Sequence, residues 1–438
     1  MSNSSDSVTR RTFLAATSAM ALARGASSNG RLKAGIVGCG GRGTQAVVNL
    51  LTADEGVDLV AMADIFEDHL EGSLNKLRND TKQFVTRDAG ITVERGGKPV
   101  QLSAEELVAS IQPRIKVDPE HHFVGFDSFE KLIHSDVDIV MLTTPPGYRP
   151  QHFEAAINAG KHVFTEKPIG TDPVGVRRFM AAAKMAEQKH LTVMAGAMRH
   201  ADLTYIQTVE KIHNGAIGEI VALTSNYLSG PVWHANARDP KWTDMEWQHR
   251  NWYSFIWICG DQIVEQHYHN IDFQNWVMGT HPVSVVASGG AAWRTREELY
   301  GNIYDHMSSD FVYPNGVHLS SYCRQYPRLY NQVDDLIVGT KGRSSGHDLG
   351  SKGINPYVQE HIDMVKSITG AGPYINQGMQ VAENTMTAIM ARESAYSGMK
   401  ITWDMIMGSQ QDLQPKEFGY KTKIEAAPLP VPGTYKFV

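Results

Sequence analysis

The sequence predicts an α/β protein, with a doubly wound parallel sheet in its N-terminal part and a strand-rich part after it. Three observations carry this. The stretch Lys33-Ala-Gly-Ile-Val-Gly-Cys-Gly-Gly-Arg-Gly-Thr-Gln45 reads as an apolar strand, a glycine turn and a helix start. A second apolar run, Val57-Asp-Leu-Val-Ala-Met-Ala63, ends in Asp64, and a third, Asp138-Ile-Val-Met-Leu-Thr-Thr-Pro-Pro146, follows a helical stretch over 128–134. Strand and helix in alternation is the pattern of a parallel sheet with helices on both faces.

The first turn is the most informative element. Gly38, Gly40 and Gly43 have the spacing in which one glycine allows a tight turn, the next lets backbone approach a pyrophosphate, and the last lets helix pack on strand. The helix that follows points its amide dipoles at phosphate. Asp64 can accept hydrogen bonds from adenosine ribose hydroxyls and repels a 2′-phosphate, so the expected cofactor is NAD rather than NADP. Arg42, inside the turn, is either a phosphate partner or a solvated side chain. A chance cluster is the plain alternative in a chain with 39 glycines, and the two later strands weigh against it.

Beyond Pro146 the segment 152–160 reads as a helix with a glycine stop, and 161–168 as the next strand. Lys167 therefore lies at a strand's carboxyl end, the edge where open parallel sheets bind ligands. A lysine there can stabilise negative charge developing on a substrate oxygen, or it can simply be solvated. Over 261–279 the spacing predicts one helix of four or five turns, with Asp261 as N-cap and Gly279 as stop. Glu265, His269 and Asp272 then share a face, where a carboxylate one turn away can orient an imidazole and raise its basicity, as a general base requires. A buried, hydrogen-bonded His269 is the plain reading. A metal site built on Glu265, His267 and His269 is disfavoured, because His-x-His suits ligation on a strand better than on a helix; no metal is expected.

These motifs are carried together by Gly38-Cys-Gly-Gly-Arg-Gly43, Thr144-Pro-Pro146, Glu166-Lys-Pro168 and Glu265-x-x-x-His269-Asn-Ile-Asp272. On them the chain resembles the Gfo/Idh/MocA oxidoreductases, the family of glucose-fructose oxidoreductase and inositol dehydrogenase, over roughly residues 31–405. The resemblance implies that Lys167 and His269 are the catalytic pair, with Glu265 where many members have Asp and Asn270 where they have Asp. It implies a dinucleotide held by Gly38, Gly40, Gly41, Arg42, Gly43, Asp64, Thr144, Pro145, Glu166 and Lys167. It also implies a C-terminal α+β domain with an open, largely antiparallel sheet, through which copies of the chain would associate.

The remaining sequence fits that architecture. Strand candidates are 218–225, 283–287, 307–313, 317–322 and 333–338, separated by turn signals such as Pro314-Asn-Gly316. A polar insertion occupies 84–122. An aromatic-rich one at 227–255, with Trp233, His234, Trp242, Trp247, His249, Arg250 and Trp252, favours a carbohydrate site, since rings stack on sugar faces. Arg199, His200, Tyr268, Trp252 and Asp272 are the expected substrate contacts. The expected division is a leader and linker at 1–30, a Rossmann domain at 31–168, a substrate and oligomerisation domain at 169–405, and a C-terminal tail at 406–438, with a proline-rich extended stretch at 428–432.

The leader rests on Thr9-Arg-Arg-Thr-Phe-Leu14, a twin-arginine pattern, followed by a short apolar stretch and a small-x-small site at 21–23. Export to the periplasm or beyond is the expectation. Cys39, Cys259 and Cys323 offer no disulfide framework. A formal charge of -6 gives no reason to expect nucleic acid or an anionic membrane as partner. The expected activity is NAD(P)-dependent oxidation of a CH-OH group of a sugar, glycoside or cyclitol, with His269 as acid/base and Lys167 on the oxygen. An exported enzyme has little free nicotinamide to recycle against, so a tightly held cofactor is expected. A redox-neutral glycosidase or keto-sugar lyase is the alternative, needing a second base from Tyr268, His200 or His249, and a non-catalytic sugar-binding protein ranks below it.

Overall fold

The computed structural model describes residues 30–438 apart from 89–91, 233, 234, 236 and 295–297. The twin-arginine pattern, the site at 21–23, Trp233 and His234 lie outside the described residues.

The first sheet contains β1 (Leu32–Val37) and β2 (Val57–Asp64). A ribbon of β3 (Thr92–Arg95) and β4 (Lys98–Gln101) then interrupts it, and it resumes with β5 (His122–Val124), β6 (Ile139–Leu142), β7 (His162–Thr165) and β8 (Val193–Ala195). Its order is β5-β2-β1-β6-β7-β8, parallel at every pairing. These strands are apolar without alternation because both faces are covered, so Ile36, Met62 and Val140 are all fully buried. Register decides what meets at the carboxyl edge. Val37 pairs with Ala63 on one side and Leu142 on the other, which sets the glycine turn between Asp64 and Thr144. Gly43 lies where helix Gly41–Ala53 crosses the turn, and a Cβ there would stand 2.2 Å from the Gly38 carbonyl oxygen.

The sheet continues to Ala195, past the expected boundary at 168. The polar insertion folds onto its edge as the β3–β4 ribbon and helix Ala104–Ile111, which Ser103 and Glu106 close with a reciprocal capping box. The second sheet has the order β14-β13-β9-β12-β11-β10-β15, built from β9 (Ile220–Ser229), β10 (Ser284–Gly290), β11 (His306–Val312), β12 (His318–Gln325), β13 (Gln332–Gly339), β14 (Arg343–Ser344) and β15 (Ile401–Thr402). Only β9 and β12 run parallel; the other pairings are antiparallel. Its inner residues, including Val285, Met307, Phe311 and Leu319, are buried in one core with the helices Tyr268–Met278 and Gly378–Ser397. Its outer face crosses from Leu336 through Thr224, Ser320 and Asp310 to Val286, a mixed row with apolar ends and both of those ends exposed.

Several segments tie the halves together, among them a returning helix and the tail. Helix Pro356–Thr369 returns from the second part and packs on helix Gly41–Ala53. The tail runs extended and is hydrogen-bonded to the rest of the chain along its length. Gln248 Nε2 donates to the Ile424 carbonyl at 2.9 Å, the Tyr420 hydroxyl donates to the Ile65 carbonyl, and the Tyr435 hydroxyl donates to Glu393 at 2.8 Å. Among the described residues no helix is long and apolar enough to cross a membrane.

Candidate active site

A cleft of about 610 Å³ opens along the carboxyl edge of the first sheet, within the size range of ligand pockets. It is lined by all ten positions expected to hold a dinucleotide, by Lys167, Glu265 and His269, and by Trp252. The glycine turn has the shape the ligand needs. A Cβ on Gly38 would collide with the Thr144 amide nitrogen at 2.6 Å, so the turn presses against the strand behind it, whereas Cβ atoms on Gly40 and Gly41 would meet nothing within 4 Å. Those two glycines leave bare backbone facing the cleft, the cradle a diphosphate requires.

Asp64 is held ready at the cleft wall. One carboxylate oxygen accepts from the Cys39 amide at 2.6 Å and the other from the Phe66 amide at 2.8 Å. Burial raises its pKa, and each oxygen keeps a lone pair for a ribose hydroxyl. Arg42 lines the cleft within the protein's own ion pairs: its Nε donates to Glu166 at 2.6 Å, Glu360 stands 3.6 Å away, and its guanidinium lies 4.8 Å from the centre of the Tyr357 ring.

The expected single helix at 261–279 is two, Gln262–Glu265 and Tyr268–Met278. Asp261, at a positive φ of 86°, accepts from the Gln262 amide, the Tyr304 amide and the Tyr396 hydroxyl, which fixes the entry angle. The break at Gln266 and His267 leaves the Glu265 carbonyl without its helical partner, and Lys167 Nζ donates to that oxygen at 2.7 Å. Lys167 Nζ is also 3.6 Å from Glu265 Oε1, while Gln266 donates to the other carboxylate oxygen. The carboxylate of Glu265 is thus turned toward Lys167 and Gln266, and it does not orient His269 as the unbroken helix implied. His269 is positioned from its backbone instead, where Arg199 donates to its carbonyl at 3.0 Å. Burial, then the charge of Lys167, drives the His269 pKa well below its ordinary value, leaving a neutral imidazole that can accept a proton.

Four expected substrate contacts face away from the cleft. Arg199 is buried against Asp335 at 2.8 Å. His200 donates to Asp272 and accepts from Gln380, beneath a smaller hollow of about 260 Å³ at the C-terminal end of helix Tyr268–Met278. Tyr268 and Asp272 are almost completely buried. Each is apolar or salt-bridged packing behind His269, a fate that helical spacing does not distinguish from exposure to substrate. Of the three candidate second bases only His249 reaches the cleft. Its Nδ1 faces the Met245 carbonyl, so Nε2 accepts from the Tyr148 hydroxyl, and burial lowers its pKa to about 4. Tyr148, Arg149, His152, Phe66 and Tyr357 also line the cleft and were not anticipated. Tyr148 and Arg149 lie one glycine beyond the Thr-Pro-Pro motif, a usable signal; Tyr357 reaches the turn only through tertiary packing. Among the described residues no group of three or more His, Cys, Asp or Glu could hold a metal ion.

Comparison with known proteins agrees with this architecture. An oxidoreductase family with an NAD-binding Rossmann fold matches residues 95–197, and the GFO/IDH/MocA C-terminal domain matches 205–345. An uncharacterised oxidoreductase of Bacillus subtilis is 24% identical over 248 residues, covering 55% of this chain and 65% of its own. Inositol 2-dehydrogenase of Rhizobium meliloti is 27% identical over 154 residues, covering 35% of this chain and 40% of its own. The chain therefore spans less than two thirds of the length of these relatives. Among solved structures, scyllo-inositol dehydrogenase of Lactobacillus casei with bound NAD(H) and scyllo-inositol superposes with a TM-score of 0.60 at 19% identity, covering 85% of this chain and 99% of that one. Aldose-aldose oxidoreductase of Caulobacter crescentus gives a TM-score of 0.60 at 16% identity, with the same coverage. At such identities the likeness is one of fold.

Proposed function

This chain belongs to the Gfo/Idh/MocA oxidoreductase family, and from that premise we propose that it is an NAD-dependent oxidoreductase acting on a CH-OH group of a sugar or cyclitol. One observation carries the reading: Lys167 and His269 meet in the cleft that also holds the glycine turn and Asp64. A bound nicotinamide would supply the hydride acceptor. His269, neutral, accepts the hydroxyl proton. Lys167 keeps hydrogens for the substrate oxygen after donating to the Glu265 carbonyl, and its charge stabilises the oxygen as the C-H bond breaks. Glu265 neutralises part of that charge and reaches a neighbouring hydroxyl. The relatives named for inositol support a cyclitol or sugar as substrate, and Asp64 supports NAD over NADP.

The test is Lys167→Ala and His269→Ala. Each lowers turnover by a factor of roughly 10² or more while leaving NAD binding, measured by calorimetry, largely intact; full activity of both variants on an identified substrate would sink the assignment. A second reading, a redox-neutral cycle, needs a second proton acceptor; His249, the one candidate of the three that lines the cleft, packs against Phe66 on the Asp64 side, which favours plain dehydrogenation. Deuterium from solvent appearing beside the oxidised carbon distinguishes it from accumulation of free NADH. Self-association through the outer face of the second sheet belongs to the same proposal, and light scattering on the purified protein checks it.

A further inference from the structure

The aromatic insertion and the tail converge on the Asp64 end of the cleft. β2 and β7 are separated in the sheet by β1 and β6, and three strand spacings amount to about 14 Å. Asp64 at the end of β2 marks the adenosine half of a dinucleotide, and Lys167 beyond β7 marks the reacting half. Helix Asp244–Arg250 closes over the first of these. The Arg250 guanidinium lies 4.1 Å from the centre of the Phe66 ring, two residues past Asp64, and is anchored to Asp68 at 3.0 Å. Trp242, His249, Phe66 and Phe126 line the cleft there.

The tail locks this helix down. Tyr420 packs on Phe126 with ring centres 5.0 Å apart, its hydroxyl donates to the Ile65 carbonyl, and its own carbonyl accepts from the helix-capping Thr243. Insertion, tail and the tip of β2 thus form one closed ring of contacts around the adenosine end.

We propose that the insertion and the tail form a clasp that stacks on the adenine and retains the dinucleotide through many turnovers, so that the aromatic insertion reads cofactor rather than sugar. The proposal rests on the NAD-dependent reading above. Its consequence is kinetic: nucleotide exchange requires the Arg250 and Tyr420 contacts to open, which slows dissociation far more than the glycine turn alone.

The full-length protein is loaded with NAD, freed of excess by desalting, and followed by extraction of bound nucleotide during dialysis. Wild type keeps near-stoichiometric NAD, whereas Arg250→Ala and Tyr420→Phe each release it at least ten times faster with unchanged near-ultraviolet circular dichroism. Tyr420→Phe removes a single hydroxyl, so it stands as the test if Arg250→Ala does not fold. Loss of NAD from wild type in one desalting step, or release from both variants at the wild-type rate, overturns the clasp and leaves the oxidoreductase reading intact. Failure of wild type to take up NAD in an equilibrium titration overturns the underlying reading itself.

Discussion

Both oxygens of Asp64 are engaged by backbone amides before any ligand arrives, so the carboxylate is fixed in direction and its remaining lone pairs face the cleft. Asp64→Ala should weaken NAD binding by roughly tenfold or more, since a hydrogen bond to a charged group is worth about 1.5–3 kcal/mol, and should weaken NADP binding less. Calorimetric titration with both nucleotides checks it; an unchanged preference would show that Asp64 serves only the turn. At this scale the cofactor side was legible in the sequence, because its residues lie in short contiguous motifs at strand ends whose backbone geometry is local. The substrate side was not. Tyr268 and Asp272 adjoin His269 in sequence, and Arg199 and His200 follow β8 of the first sheet, yet all four face the packed interior, and only tertiary burial separates the two outcomes.

The broken helix at 261–279 shows the same divide among elements. Its N-cap and glycine stop were readable, but the break depends on partners far along the chain, Tyr304 and Tyr396 on Asp261 and Lys167 on the freed Glu265 carbonyl. The three-residue β5 and the β3–β4 ribbon escaped notice for a related reason, being too short and too polar for periodicity to register. Asp261 is the element's keystone. It is fully buried with three donors aimed at it, and desolvation raises its pKa to about 6. Asp261→Ala should cost about 3–5 kcal/mol, because the donors lose their acceptor in a site closed to water. Urea denaturation measures this; a loss below 1 kcal/mol would mean that water replaces the carboxylate.

For the molecule as a whole, burial leaves several histidines uncharged. His152, His267 and His361 have pKa values lowered to about 3, and His249 to about 4, mainly by desolvation. An unfolded histidine titrates near 6.5, so each group contributes stability above that pH and loses it as pH falls toward the folded value, at about 1.4 kcal/mol per pH unit. Asp261 works in the opposite sense, its raised pKa favouring the fold as pH drops from about 6, and Asp64, Asp138, Asp172, Glu360 and Asp363, all raised by desolvation, add to it. On the other side, His162, lowered to about 4, and His269 join the four imidazoles, and between pH 7 and 5 all six begin to titrate in the unfolded chain while a normal carboxyl does not. The melting temperature should fall steadily from pH 7 to pH 5 in scanning calorimetry, and a flat profile would show that the histidines have access to water. The ring of contacts around the adenosine end also imposes an order on biosynthesis. Ile65 and the hydroxyl of Tyr420 that closes over it are separated by 355 residues. A growing chain therefore completes its glycine turn long before the segment that shuts the cleft has been made, and for that interval the nucleotide's berth stands open to whatever the compartment of synthesis supplies.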